Sequence, residues 1–135
     1  MAELNIEAKV ENLEKVQSFM NAILDEYNCP RKAKTQLNIA VDELFANIAH
    51  YAYNPVVGTA TVQVEVQEDP LQVSVTFIDN GVPYDPLAKP DPDTTLNVMD
   101  RPIGGLGIYM VKKSMDMVQY EYRDGKNILT IRKNL

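Results

Sequence analysis

The chain has 135 residues, of which 45% are hydrophobic and 24% are charged, with a net charge of −6 and one cysteine. This composition predicts one globular domain spanning residues 1–135. The negative charge argues against binding along a nucleic-acid backbone, and the lone Cys29 excludes an internal disulfide and a multi-cysteine zinc site. Because no apolar run approaches about 18–20 residues and no signal-peptide pattern opens the chain, we expect a cytoplasmic protein that does not bind membranes.

The first half of the chain predicts one strand and two helices. Residues 4–8 alternate between apolar and polar side chains, as in a short strand. Apolar residues recur at helical spacing over residues 13–27, and Asn12 is the candidate N-cap of that helix. A second amphipathic helix is predicted from about Lys32 to Tyr51.

Two strands joined as a hairpin are predicted next. Valines alternate with polar residues over residues 62–66, and the same pattern returns over residues 73–77 after a short link. Asp79 continues the apolar phase of the second strand, so its carboxylate should point toward the core. Burial of a carboxylate is costly unless a partner compensates it.

The second half begins with a change in composition. Five of the eight prolines lie between residues 83 and 102, and such a long proline-rich stretch predicts either disorder or a functional lid over about residues 84–103. A third helix is predicted after the glycines that follow. Two last strands, at 117–123 and 126–133, flank Asp124-Gly125, which is a strong hairpin signal.

This order of elements predicts an α+β two-layer sandwich, with a mixed, mostly antiparallel sheet and the helices on one face. A doubly wound nucleotide fold would instead alternate strand and helix throughout. The chain also lacks the phosphate-binding pattern G-x-x-x-x-G-K-[ST] and the hydrolase pattern G-x-S-x-G.

Two short patterns carry candidate chemistry in the middle of the chain. Glu43 and Asn47 are four residues apart on the second helix and share a face. A carboxylate there can accept a proton from an attacking hydroxyl, and an amide oxygen suits Mg²⁺. Asp79 can accept an amino N–H from adenine, and Gly81 permits a close approach of the ring or a positive φ.

A third pattern is the glycine cluster Gly104-Gly105-Leu106-Gly107 at the predicted start of the third helix. Backbone N–H groups at a helix N-terminus favour anions, and phosphates are their natural occupant. Nearby Arg101, Lys112 and Lys113 either add to this positive field or are ordinary surface cations. Taken singly, each of the three patterns also fits a plainer structure: a solvated helix face, a turn and a loop.

Together these patterns resemble the ATP-binding domain shared by gyrase, the ninety-kilodalton heat-shock chaperone, histidine kinases and MutL proteins, the GHKL superfamily. Within it the chain is most similar to the stand-alone bacterial anti-sigma-factor serine kinases. Residues 43–47 match the motif E-x-x-x-N, residues 79–86 match D-x-G-x-P-[FY]-D-P, and residues 104–108 match the second glycine box. The resemblance implies a Bergerat-type ATP-binding fold over nearly the whole chain, with ATP and Mg²⁺ as cofactors.

The resemblance also implies residue roles. Glu43 is the expected general base, Asn47 the Mg²⁺ ligand and Asp79 the acceptor for the adenine amino group. Thr130, on the last strand, is expected to support Asp79. The remaining residues implied in ATP binding are Gly81, Gly104, Gly105, Leu106, Gly107 and Tyr84, the last of which packs either on the lid or on the base.

The function implied is an ATP- and Mg²⁺-dependent protein serine kinase that acts as an anti-sigma factor. Its partners would be a STAS-type anti-sigma-factor antagonist, which carries the serine, and a sigma factor; a homodimer is also consistent with the family. One alternative is a non-catalytic ATP-binding module of the same fold. Another is a scaffold without nucleotide, against which the buried carboxylate of Asp79 counts.

Overall fold

The computed structural model describes residues 1–53, 57–88 and 106–135, with only the backbone of Leu106. Five strands and three α-helices make up the described fold, together with short helical turns at Val10–Asn12, Ile48–Ala52 and Pro86–Ala88. In chain order the strands and helices are β1 (Ala2–Glu7), α1 (Leu13–Glu26), α2 (Arg31–Asn47), β2 (Thr59–Gln67), β3 (Gln72–Asp79), α3 (Leu106–Ser114), β4 (Met117–Arg123) and β5 (Lys126–Asn134).

The five strands form one sheet in the order β1-β2-β3-β5-β4, and every pairing between them is antiparallel. Alternate residues of each strand face the helices. Four of the valines predicted on one face of β2 and β3 are almost fully buried there, namely Val62, Val64, Val73 and Val75, whereas Val66 near the end of β2 is partly buried. A single apolar cluster joins this sheet face to α1, α2 and α3. The structure therefore confirms the α+β sandwich with helices on one face.

The turn between β4 and β5 shows why its two residues are suited to it. Asp124 has φ of 55° and Gly125 has φ of 76°. Positive φ at both central residues is the geometry of a two-residue hairpin whose twist matches its strands, and Asp-Gly tolerates it well. The predicted hairpin is confirmed, and it fixes the register of β4 against β5.

Two details at the helix ends differ from the sequence prediction. Asn12 precedes α1, but its side chain donates to the Glu7 carbonyl (2.9 Å) instead of capping the helix, so the predicted cap is wrong. The second helix was expected to continue to Tyr51. Its α-helical part ends at Asn47, and a π-helical turn carries the chain through Ile48–Ala52.

The predicted lid over about residues 84–103 falls largely outside the described residues. Its first part, up to Ala88, is described and contains the turn Pro86–Ala88. In the described part of the chain, no helix is long and apolar enough to span a membrane.

Candidate active site

Asp79, the last residue of β3, is buried at the edge of the core. Its side chain follows the phase of Val73, Val75 and Phe77, and only 4% of the residue is exposed. The Gly81 backbone N–H donates to Asp79 Oδ1 (2.9 Å), and the Asn127 side-chain amide donates to the same oxygen (2.8 Å). Burial raises the pKa of Asp79, and these two hydrogen bonds oppose that rise.

Asn127 is a site residue that the sequence analysis missed. It lies directly opposite Asp79 in the pairing of β3 with β5. Besides Asp79, its amide donates to the Val82 carbonyl (2.9 Å), and its oxygen accepts from the Tyr84 backbone N–H (3.1 Å) and the Tyr120 hydroxyl. These four bonds use every donor and acceptor of an asparagine side chain. Asn127 thus ties the loop after β3 to the carboxylate.

A signal for Asn127 was present in the sequence. Asn127 alternates with the buried residues Leu129 and Ile131 along β5, so it is a polar residue on the face of the strand that is otherwise apolar. Asp79 has the same position on β3. Two polar residues at the buried ends of neighbouring strands are expected to hydrogen-bond to each other, because each would otherwise lack a hydrogen-bond partner in the core.

Thr130 lies on the opposite face of the sheet, so the expectation that it supports Asp79 is wrong. Its hydroxyl contacts the Thr76 hydroxyl (3.1 Å between oxygens), and the two residues are direct partners in the β3–β5 pairing. Successive strand residues point to opposite faces. Thr130 is three positions beyond Asn127, an odd number, and it therefore cannot share a face with Asp79.

A cavity of about 30 Å³ opens beside Asp79, between α2 and the sheet. Its apolar walls include Leu44, Phe77 and Leu129, which belong to the core. Asn47, Asp79, Tyr84 and Asn127 provide the polar part of its lining. The structure thus brings three of the predicted residues, Asn47, Asp79 and Tyr84, to one cavity.

Gly81 is required by close packing against Ala52. A Cβ on Gly81 would lie 2.6 Å from the Ala52 Cβ and 2.7 Å from its carbonyl carbon. The next residue, Val82, donates its backbone N–H to the Ala52 carbonyl (3.1 Å). The sequence offered two reasons for a glycine here, a positive φ and a close approach of the adenine ring. Gly81 does not have a positive φ. The segment that approaches it closely is the turn after α2, and a contact with a purine ring stays a prediction.

Glu43 and Gly107 bring the first and third motifs together. The Glu43 carboxylate lies against the Cα of Gly107, in the first turn of α3, and occupies the space that a Cβ there would need. Lys112 and Lys113 lie in the last turn of α3, at the other end of the helix. Gly104 and Gly105 lie outside the described residues, and of Leu106 only the backbone is described.

Asn47 lies one helical turn after Glu43 and lines the cavity. Its role as a Mg²⁺ ligand stays a prediction. Within residues 1–53, 57–88 and 106–135, His, Cys, Asp and Glu side chains form no group of three or more that could hold a metal ion. Mg²⁺ usually keeps several waters and is held by one or two carboxylates together with substrate phosphates. The amide of Asn47 would add one neutral oxygen ligand to an ion that the phosphates already hold.

Comparisons with known proteins place the chain among families and folds already described. The histidine kinase-like ATPase domain family matches residues 6–133. Serine-protein kinase RsbW of Bacillus cereus is 30% identical over 131 residues, which are 94% of this chain and 81% of the relative. Serine/threonine-protein kinase BtrW of Bordetella bronchiseptica is 30% identical over 95 residues, which are 70% of this chain and just under two thirds (66%) of the relative.

A solved structure shows the same fold. The chain that contains the RsbU and RsbW domains of Rv1364c from Mycobacterium tuberculosis matches all of this chain with a TM-score of 0.68 and 16% identity. The match covers 33% of that longer chain.

Proposed function

We propose that this chain, which belongs to the histidine kinase-like ATPase domain family, is an ATP- and Mg²⁺-dependent protein serine kinase. Its relatives RsbW and BtrW bear the names of serine and serine/threonine kinases. We infer further that it acts in the cytoplasm as an anti-sigma factor and phosphorylates a serine on a STAS-type antagonist.

The observation that carries the proposal is the way in which the Asp79 carboxylate is hydrogen-bonded. In the described residues, both hydrogen bonds to this buried carboxylate end on Oδ1, and the side chain lines the cavity. This arrangement leaves Oδ2 as an acceptor for a ligand. The adenine amino group is a donor of matching kind, and the apolar walls beside it suit a flat heterocyclic ring.

The chain's own residues then have distinct tasks in phosphoryl transfer. Asp79 would orient the adenine ring, and Asn47 would offer its amide oxygen to the metal. Mg²⁺, when bound, neutralises charge on the phosphate oxygens. The backbone N–H groups at the start of α3, next to Gly107, are the proposed donors to the phosphate oxygens.

Glu43 is the proposed general base, because its carboxylate lies at the start of α3 where a phosphate would bind. The acceptor serine Oγ forms a bond to the γ-phosphorus, and the bond from that phosphorus to the β–γ bridging oxygen breaks. The serine proton moves to Glu43, and ADP leaves with the bridging oxygen.

Phosphoryl transfer from γ-labelled ATP to purified STAS-type antagonists of the same genome tests the proposal. Glu43→Gln is expected to bind ATP as the wild type does and to lose transfer by about 100-fold or more. The matched control is Glu65→Gln, because Glu65 is an exposed residue of β2. If the wild type binds ATP but phosphorylates none of the antagonists, the non-catalytic ATP-binding module is the correct description. If it binds no ATP, both descriptions are wrong.

A further inference from the structure

Two tyrosines stack on each other beside the cavity. The rings of Tyr51 and Tyr84 lie 5.1 Å apart between centroids, at an angle of 21°. Tyr84 belongs to the loop after β3 and lines the cavity, whereas Tyr51 belongs to the π-helical turn after α2 and is 52% exposed. Offset stacking of two aromatic rings is a favourable contact in addition to the area it buries.

The cavity as it stands is small for a ligand site. Its volume is about 30 Å³, whereas typical ligand pockets have volumes of roughly 300–1,000 Å³. A nucleotide would therefore bind after part of the wall has moved. Leu44, Phe77 and Leu129 are parts of the core, each at most 7% exposed, and their displacement would disrupt close packing.

The Tyr84 side chain is a wall element outside that core, and the residue is half-buried. Its backbone N–H is bound to Asn127, and the neighbouring backbone is bound to Ala52 through Val82. The ring itself is held toward the cavity by its contact with Tyr51. The two rings can therefore separate by side-chain rotation while the backbone of the loop stays in place.

We propose that the stacked pair of Tyr51 and Tyr84 is an aromatic clasp that holds the adenine pocket closed without nucleotide, so that Tyr51 lowers the affinity for ATP. This inference rests on the proposed ATP binding, and it adds an affinity-determining residue to that site. Tyr51 does not line the cavity, and it acts on the nucleotide only through Tyr84. The stacking contact is lost whenever the pocket opens. The apparent affinity for ATP therefore equals the affinity of the open form multiplied by the fraction of molecules that are open.

The test is Tyr51→Ala, with the dissociation constant of Mg²⁺-ATP measured by calorimetry on the full chain. The variant is expected to bind ATP about 2- to 10-fold more tightly than the wild type, the factor that matches the strength of an aromatic pair. Tyr51→Phe retains the ring and should restore wild-type affinity. Tyr27→Ala is the control, since Tyr27 lies at the end of α1 beside β2.

A second measurement reads the clasp directly. The chain contains seven tyrosines and no tryptophan, so near-ultraviolet circular dichroism reports on its tyrosines. ATP analogues without a base, such as triphosphate, should leave the stacking signal unchanged, while adenosine should reduce it in the wild type and not in Tyr51→Ala.

The outcomes separate the clasp from the function on which it rests. Equal ATP affinity in Tyr51→Ala and the wild type would refute the clasp and leave ATP binding intact. Weaker binding in Tyr51→Ala would mean that Tyr51 holds the nucleotide, which also overturns the proposal. Absence of ATP binding in the wild type and in both variants would refute the proposed function itself.

Discussion

Replacement of Asp79 by asparagine is expected to move nucleotide binding and stability in opposite directions. The oxygen of the new amide can take the place of Oδ1 and keep the hydrogen bonds from Gly81 (2.9 Å) and Asn127 (2.8 Å). The amide NH₂ then replaces Oδ2, so that a donor faces the adenine amino group, which is also a donor. An unmatched buried polar group costs about 1–3 kcal/mol, and the affinity for ATP should fall by roughly 5- to 150-fold.

The effect on stability follows from the pKa of the carboxyl group. Burial raises the pKa of Asp79 above its ordinary value of 3.8, so between that value and the raised pKa the folded chain binds the proton more tightly than the unfolded chain does. Stability contributed by this group therefore falls as pH rises through that window, and it stays lower at neutral pH. Asp79→Asn removes this titration and should raise the free energy of unfolding at neutral pH by about 1 kcal/mol.

Urea denaturation between pH 4 and neutral pH, together with ATP calorimetry, checks both halves of this prediction. The wild type should lose stability relative to the variant as pH rises, and the difference should level off once Asp79 is ionised. A variant that binds ATP like the wild type would refute the adenine assignment. A variant less stable than the wild type at neutral pH would show that the ionised carboxylate is well compensated in the fold.

Three further substitutions test the neighbouring contacts. Asn127→Ala leaves unpaired the buried groups that Asn127 binds and should lower the free energy of unfolding by about 3 kcal/mol in urea denaturation; a loss below about 1 kcal/mol would contradict this. Gly81→Ala places a Cβ against the backbone of Ala52, and we expect a loss of about 1–3 kcal/mol in the same assay. In Gly107→Ala the nearest atoms to the new Cβ are those at the flexible end of Glu43, so stability should change by less than about 0.5 kcal/mol. Phosphoryl transfer should fall at least about tenfold because the Glu43 carboxylate is displaced. Undiminished phosphoryl transfer in Gly107→Ala would count against Glu43 as the general base.

The local patterns of the sequence were sufficient for most of the fold. Alternation of apolar and polar residues predicted the hairpin of β2 and β3 and the burial of Asp79, because the period of a strand is two whatever surrounds it. Asp124-Gly125 predicted the last turn from its tolerance of positive φ. The spacing of Glu43 and Asn47 placed both on one side of α2 before any tertiary contact was known.

Contacts between distant segments decided the rest. The partner of Asp79 depends on the register of β5 against β3, which selects Asn127 and excludes Thr130. The demand for glycine at position 81 comes from Ala52, and the ring that stacks on Tyr84 beside the cavity comes from Tyr51. Secondary structure follows from periodicity along the chain, whereas these pairings arise only when the sheet register and the packing of α2 bring separate segments to contact distance.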